Sequence, residues 1–369
     1  MVDPKDAAQN MTQAERDRRF GQPHHGHGQQ AAPTQKYSNP PPTHSTPKVL
    51  PPGPQVRCAE PGSDFQTALQ AAVDNDGVLT LNGNIQIDAP VSIRINRSNT
   101  GWFGLDGGKH KIVSNVQGQP AIRFFMDDAV PSGTCARSLV VSDIAFMGNG
   151  GEESALQIDV GYNDRWVVNP MLQNLWFEGC GGRGALKLMG SIFEGNLYSV
   201  GTMNSRSNGV YLSQLESGGG GKGILSAMRW YGGTQRQNAG HGILYDGYDG
   251  PHDMRLYGLY FCENHGNGIN AVCGLELVDA CGFENNNDAA IYVENFATLR
   301  KCTGSTWGPQ PYLAKGYVVG DMRLDSCSVA GYNGGSPRIG QFSGGGTVTA
   351  VGTDPGLLDV NGPRLITGA

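Results

Sequence analysis

The residues best equipped for chemistry crowd into one short stretch. Tyr248, Asp249, His252, Asp253, Glu263 and His265 fall within 18 positions. Carboxylates beside histidine are the equipment of general acid–base catalysis. Asp249, Asp253, Glu263 and His252 are therefore the candidate catalytic groups. Splitting a glycosidic bond takes two carboxyls, about 5 Å apart with retention or roughly 6.5–9.5 Å apart with inversion. An eliminating enzyme needs a base and a cation that neutralises a substrate carboxylate, roles open to Arg229, Arg255 and His252. A second set is aromatic and basic: Trp166, Trp176, Arg229, Tyr231, Tyr248 and Tyr260. These six are the candidate glycan contacts, because rings stack on sugars while polar tips bond their hydroxyls. Exposed rings serve equally as a contact between subunits, and both readings stay open. His24-His25-Gly26-His27 has no second ligand cluster to complete a metal site, so neither metal nor cofactor is expected.

A repeat must position these groups. Leu256-x-x-Leu259-x-Phe261 and Val278-x-x-Cys281-x-Phe283 are each followed by an Asn/Gly turn and a second alternating strand. Phe261 to Phe283 and Ile269 to Ile291 are both 22 positions. Two short strands per fixed period are the signature of a solenoid. The first strand recurs at Val141-x-x-Ile144-x-Phe146 and Leu172-x-x-Leu175-x-Phe177. It is weaker at Leu197-x-x-Val200 and Leu225-x-x-Met228-x-Trp230, and returns at Leu299-x-x-Cys302 and Leu324-x-x-Cys327-x-Val329. The second strand recurs at 155–158, 185–188, 209–212, 242–245 and 316–319. About eight coils at about 4.8 Å each make a rod roughly 40 Å long.

The repeat assigns rows. Alternation sends Trp176, Arg229, Tyr260 and Gly282 outward, with Glu178, Tyr231, Cys262 and Glu284 in the adjoining row. Glu178 and Glu284 then lie about four coils apart, roughly 19 Å, too far to act together in one chain. Asp246 shares its row with Met189, Ser213, Val272 and Glu294, and Glu294 is two coils away, close to the inverting separation. Excursions at 160–171, 215–224 and 247–255 fall at one corner and are expected to wall a groove. Cys281, Cys302 and Cys327 are expected to stack as a buried ladder of free thiols. Asn149, Asn264 and Asn286 are expected to hydrogen-bond across coils.

Composition agrees with an all-β chain. Hydrophobic residues make up 38% and charged ones 16%, and 56 glycines supply the turns. A net charge of -6 gives no reason to expect a nucleic-acid partner. No apolar run reaches membrane-spanning length. Residues 1–57 differ from the rest, with ten of the 21 prolines and seven Lys/Arg against four Asp/Glu. Such a segment cannot bury enough apolar surface to offset its ordering entropy. It is expected to be a disordered or extended tail that anchors the chain to a larger assembly. The opening Met1-Val-Asp-Pro-Lys-Asp6 shows no basic-then-apolar leader.

From Ser63, Phe65, Ala68, Leu69, Ala72 and Val73 mark one helical face, with Ser63 and Gln66 as a capping box. A helix there, about 63–76, would cover the open end of the solenoid. Gly62-Ser-Asp-Phe-Gln-Thr-Ala-Leu-Gln-Ala-Ala72, Gly77-Val-Leu-Thr-Leu81, Ile85-Gln-Ile87 and Phe103-Gly-Leu-Asp-Gly-Gly-Lys-His-Lys-Ile112 resemble the start of pectate-lyase-like β-helix proteins, bacteriophage spikes among them. The stretch between helix and second strand is shortened here to Asn82-Gly-Asn84, and no catalytic motif of one lyase family is present. The resemblance covers about residues 58–335. It implies a right-handed, single-stranded parallel β-helix. Beyond it, 336–369 loses the repeat and is expected to be a C-terminal cap or oligomer contact.

The resemblance is specific for fold rather than activity; the lack of an export signal, a tail suited to docking on an assembly and a compact β-helix point to a phage or phage-like spike that binds host cell-surface polysaccharide. The alternatives are a polysaccharide lyase, glycoside hydrolase or C5-epimerase, and a purely structural virion component. The expected partners are polysaccharide, virion proteins through residues 1–57, and further copies of the chain, as a trimer. The expected location is the virion, with secretion as the alternative.

Overall fold

The computed structural model describes residues 55–59, 64–99, 101–160, 164–213, 225–246, 253–272, 274–287, 289–306, 312–331 and 338–368. It opens with α1 (Phe65–Asp74), which buries Phe65, Leu69, Ala72 and Val73. The N-cap is Asp64, whose carboxylate accepts from the Thr67 N–H and hydroxyl; Ser63 lies outside the described residues. Gln66, expected in a capping box, is used elsewhere. Its Oε1 accepts from the Ser92 N–H, and Gln70 both accepts from the Arg94 N–H and donates to the Arg94 carbonyl. Val91–Arg94 begins its ladder, with one strand partner among the described residues. Two glutamines one helical turn apart thus satisfy an edge that would otherwise invite another chain.

The chain is a right-handed parallel β-helix, as the resemblance implies. Each coil runs along three faces. The first carries strands such as Arg229–Tyr231, Arg255–Tyr257 and Leu275–Asp279. The second carries Thr234–Arg236, Tyr260–Cys262 and Gly282–Glu284. The third carries Gly184–Gly190, Asn208–Ser213 and Ile243–Asp246. The first two faces meet at one residue in left-handed conformation: Asp143, Asn174, Ser199, Gly232, Gly258, Ala280, Lys301 or Ser326, with φ from 50° to 64°. That residue interrupts the two-residue alternation, so the apolar side chains on both sides of it point inward. The apolar-x-x-apolar-x-apolar motif is therefore a corner joining two sheets. In Met171–Glu178 and Asn196–Met203 a single strand bends through it.

Three expectations are corrected. The Leu225 unit was set on the wrong face. Leu225 pairs with Ile192 in a fourth, short sheet of Cys135–Arg137, Trp166–Val168, Ile192–Phe193 and Leu225–Ser226. Trp230, not Leu225, lies between Leu197 and Leu256 in the core. The pattern failed because the next inward position is polar: Thr202 and Gln235 are fully buried, and the Thr202 hydroxyl donates to Gln235 Oε1 at 2.6 Å. At 316–319 the register is slipped, since Ala314 lies beside Ile291 and Val318 beside Asn295. Tyr317 and Val319 consequently face out, 53% and 63% exposed. Finally, the coils outnumber eight. Eleven strands stack on the third face among the described residues, from Val91–Arg94 to Leu358–Asn361. Arg338–Gly344 and Thr347–Val351 continue the ladders although the apolar repeat fades there.

The two side-chain ladders form, with one change of membership. Asn238 Nδ2 donates to Asn264 Oδ1 and Asn264 Nδ2 to Asn286 Oδ1, each at 2.8 Å. Asn149 lies outside this ladder, exposed, and bonds across coils to a different partner: its Oδ1 accepts from Gln117 Nε2 at 3.4 Å as well as from the Gly151 N–H. Cys281, Cys302 and Cys327 are buried, with the Cys302 and Cys327 thiols donating to the carbonyls of Val278 and Leu299 in the coil before. Burial pushes the Cys281 thiol up to about 12.

Candidate functional site

The structure distributes the candidate residues over several surfaces. Tyr248, Asp249 and His252 lie outside the described residues. Asp253 precedes the strand Arg255–Tyr257 and accepts from Arg255 Nε. Glu263 follows Tyr260–Cys262, exposed, and accepts from Gln237 Nε2 at 2.8 Å. Each of them lies five positions from the corner at Gly258, a span of about 16 Å per side at 3.3 Å per residue. Asp253 and Glu263 therefore stand at opposite ends of a bent two-strand segment and form no pair. Trp166, expected on a loop wall, is half-buried in the short fourth sheet beside Cys135.

Arg229 and Tyr231 belong to the first face, away from Trp176 and Tyr260. Tyr231 stacks between Tyr198 and Tyr257, with ring centroids 5.2 and 5.0 Å apart and ring planes within 9°. Burial, then the neighbouring tyrosines, pushes its phenol upward. Each ring face of Tyr231 is covered by the next ring, so it offers edges and a hydroxyl rather than a stacking platform. Arg229 lies beside Arg255, which is tied to Asp253. This ladder was hidden in the sequence because the excursions between coils stretch its spacing to 33 and then 26 positions.

Trp176 and Tyr260 share one row of the second face: Trp176, Gly201, Thr234, Tyr260, Gly282. Pairing of Thr202 with Gln235 sets Gly201 beside Thr234. Each ring lies over a glycine of the next coil. A Cβ on Gly201 would come within 2.7 Å of the Trp176 ring, and one on Gly282 within 3.1 Å of the Tyr260 ring. The polar tips are held by glutamates: Trp176 Nε1 donates to Glu178 at 3.2 Å and the Tyr260 hydroxyl to Glu284. Burial and the Glu284 bond push the Tyr260 phenol upward. The adjoining row is Glu178, Met203, Arg236, Cys262, Glu284. Glu178 and Glu284 are four coils apart in it, as the repeat predicts.

The outward side of the third face holds a polar cluster that the sequence reading touched only at Asp246 and Glu294. Arg123 bridges to Asp159 at 2.5 Å, Lys187 to Glu153 at 2.6 Å, and the Tyr211 hydroxyl donates to Asp246 at 3.1 Å. His241 Nδ1 accepts from the Asn267 N–H, which leaves the proton of the neutral ring on Nε2, facing Asn270. Glu294 accepts from the Tyr292 hydroxyl, and its carboxyl is raised by burial. Asp246 and Glu294 occupy one row with Val272 between them, about 9.6 Å apart by the coil step. Among the described residues no cluster of metal-ligating side chains forms, and no helix is long and apolar enough to cross a membrane.

No protein-family model and no curated protein matches the chain in sequence. Solved structures resemble it in fold. The A-module of the mannuronan C-5 epimerase AlgE6 of Azotobacter vinelandii is 12% identical, with a TM-score of 0.49, 83% of this chain covered and 94% of that one. The catalytic unit of a GH87 α-1,3-glucanase of Streptomyces thermodiastaticus is 14% identical, with a TM-score of 0.43, 85% of this chain and 67% of that one. The enzymatically active domain of tailspike protein 2 of bacteriophage CBA120 is 10% identical, with a TM-score of 0.42 and 79% of this chain covered. The chain spans 46% of that tailspike chain.

Proposed function

We propose that this chain binds a cell-surface polysaccharide along its second face, as the receptor-binding spike of a phage or phage-like particle. The observation that carries the reading is the setting of Trp176 and Tyr260. Each ring lies over a bare glycine in the next coil, with its polar tip engaged by a glutamate. A ring laid along a sheet in this way has its outer side free for the apolar face of a sugar. In this reading residues 1–57 dock on the particle and several copies, expected to be three, assemble side by side. Binding of isolated host surface polysaccharide tests it. Trp176→Ala and Tyr260→Ala should each weaken binding at least about fivefold, because buried aromatic anchors dominate binding energy. Trp166→Ala should not, since that ring lies in another sheet. Unchanged binding in both second-face variants would refute the reading.

A second reading, a hydrolase, is favoured by one observation. The raised carboxyl of Glu294 shares a row with Asp246 at roughly the separation an inverting enzyme uses.

A further inference from the structure

Among the described residues, Arg236 stands between the two rings without a counter-ion. It lies two coils from Glu178 and two from Glu284 in the same row, about 9.6 Å from each by the coil step. Its Nε is buried with no hydrogen-bond partner, and its guanidinium donates one long bond, 3.4 Å, to Gln237 Oε1. Among the described residues no carboxylate pairs with it, whereas Arg94, Arg123, Arg255 and Arg300 each have one. The buried Nε is out of a ligand's reach, but the terminal nitrogens of this half-buried guanidinium make only that one long bond among the described residues and are left for an anion from outside the chain.

The surrounding acids leave that role open. Glu178 and Glu284 are engaged by Trp176 and Tyr260, and 9.6 Å exceeds the screening length of about 8 Å at physiological salt. Glu263 is reached through Gln237, whose Nε2 donates to it. Cys262, beside Arg236 in the next coil, is held up at about 11 by burial and then by the charges of Glu263 and Glu284, so it adds no charge at neutral pH. Trp176 and Tyr260 lie three coils apart, about 14 Å, which spans a short extended oligosaccharide with its middle at Arg236. The Trp176 ring leans over Gly201, towards the coil that carries Arg236.

We propose that Arg236 is an anion subsite of the second face, taking the carboxylate of a uronate residue while neighbouring sugars lie on Trp176 and Tyr260. This rests on the glycan-binding reading and adds a charge requirement to it. The guanidinium fork fits a carboxylate with two parallel bonds, which a lysine cannot reproduce.

The test measures affinity of the full chain for oligogalacturonate, oligomannuronate and oligoglucuronate, each as free acid and as methyl ester. The protein should bind at least one free acid more tightly than its ester, and less tightly as salt rises. Arg236→Gln should lower affinity for that acid about ten- to hundredfold and leave the ester unchanged. Arg236→Lys should fall between the two and guards against a folding defect. Trp176→Ala should weaken acid and ester alike. If Trp176→Ala weakens binding while Arg236→Gln does not, the second-face site stands and the anion subsite is refuted. If no acid is preferred over its ester, or none of the six probes binds, the subsite is likewise refuted.

Discussion

Asn264 is the middle rung of a buried ladder, and every polar atom of its side chain is used. It accepts from Asn238 and donates to Asn286 and to the Gln235 carbonyl. Asn264→Leu should leave these partners short of bonds at a cost of about 2–4 kcal/mol, since each buried group left unsatisfied costs about 1–3 kcal/mol. Asn149→Leu, at an exposed position off the ladder, should change stability by less than about 0.5 kcal/mol. Urea unfolding of the two variants checks the contrast, and equal losses would mean the ladder adds nothing. Glu294 makes the opposite kind of statement. Burial raises its carboxyl in the folded chain, so the folded state holds that proton more tightly than the unfolded one. Stability must then fall as pH rises from the ordinary glutamate value through the raised one. Glu294→Gln removes that fall. The variant should melt above the parent at neutral pH and match it in acid below the ordinary glutamate range. Asp279 runs the other way: the Arg300 hydrogen bond holds its carboxyl low, so its contribution is present at neutral pH and is lost as pH falls through the lowered value.

The corner between the first two faces is the element that defines this coil, and two neighbouring coils isolate its backbone cost. Gly258 and Ala280 occupy the same corner at φ 64° and 51°. Both are exposed, and a Cβ on Gly258 would meet nothing within 4 Å. Left-handed conformation costs an L-residue about 1–2 kcal/mol, partly offset by the backbone entropy that glycine loses on folding. Ala280→Gly should therefore stabilise the chain by up to about 1 kcal/mol and Gly258→Ala should destabilise it by a similar amount, both read from denaturant midpoints. This corner also explains what the sequence disclosed. Inward positions such as Leu172, Leu256 and Phe261 are apolar because the core demands it, so their spacing was legible. The corner residue faces solvent and needs only a tolerable φ, so Asp, Asn, Ser, Gly, Ala and Lys all serve and leave no motif. Where the core itself turns polar, at Thr202 and Gln235, the apolar pattern vanished, and Arg229 and Tyr231 were assigned to the wrong face. The ring positions Trp176 and Tyr260 came through because period-two alternation survives on either side of the gap. Arg236 did not, since a lone arginine on a strand carries no signal until its neighbours are known to be without carboxylates.

At the largest scale, the β-helix buries its core along its length and leaves outward rows on its faces. The strand Gln55–Ala59 pairs with Val78–Leu81, so the body extends slightly before the expected boundary at residue 58. Removal of residues 1–54 should leave the melting temperature unchanged, whereas removal of 1–59 should lower it by uncovering the edge of Val78–Leu81. Particle incorporation of the shorter deletion then tests the anchoring role proposed for the tail. The two functions proposed above, holding a polysaccharide and cutting one, place the activity on different faces. The proposed binding on the second face would depend on Trp176 and Tyr260 and would need no titrating group. Cleavage on the third face would instead depend on Asp246 and Glu294, which stand about 9.6 Å apart with the Tyr211 hydroxyl on one and the Tyr292 hydroxyl on the other. Incubating the assembled protein with host surface polysaccharide and sizing the product separates the two. The spike reading expects unshortened polymer and binding that survives Asp246→Asn and Glu294→Gln. Shortened polymer, lost in both carboxamide variants while Trp176→Ala merely weakens binding, would move the function to the third face. Should copies assemble as proposed, an isolated single chain would be the wrong sample, because residues too far apart in one copy, such as Glu178 and Glu284, would be able to meet across a boundary between copies.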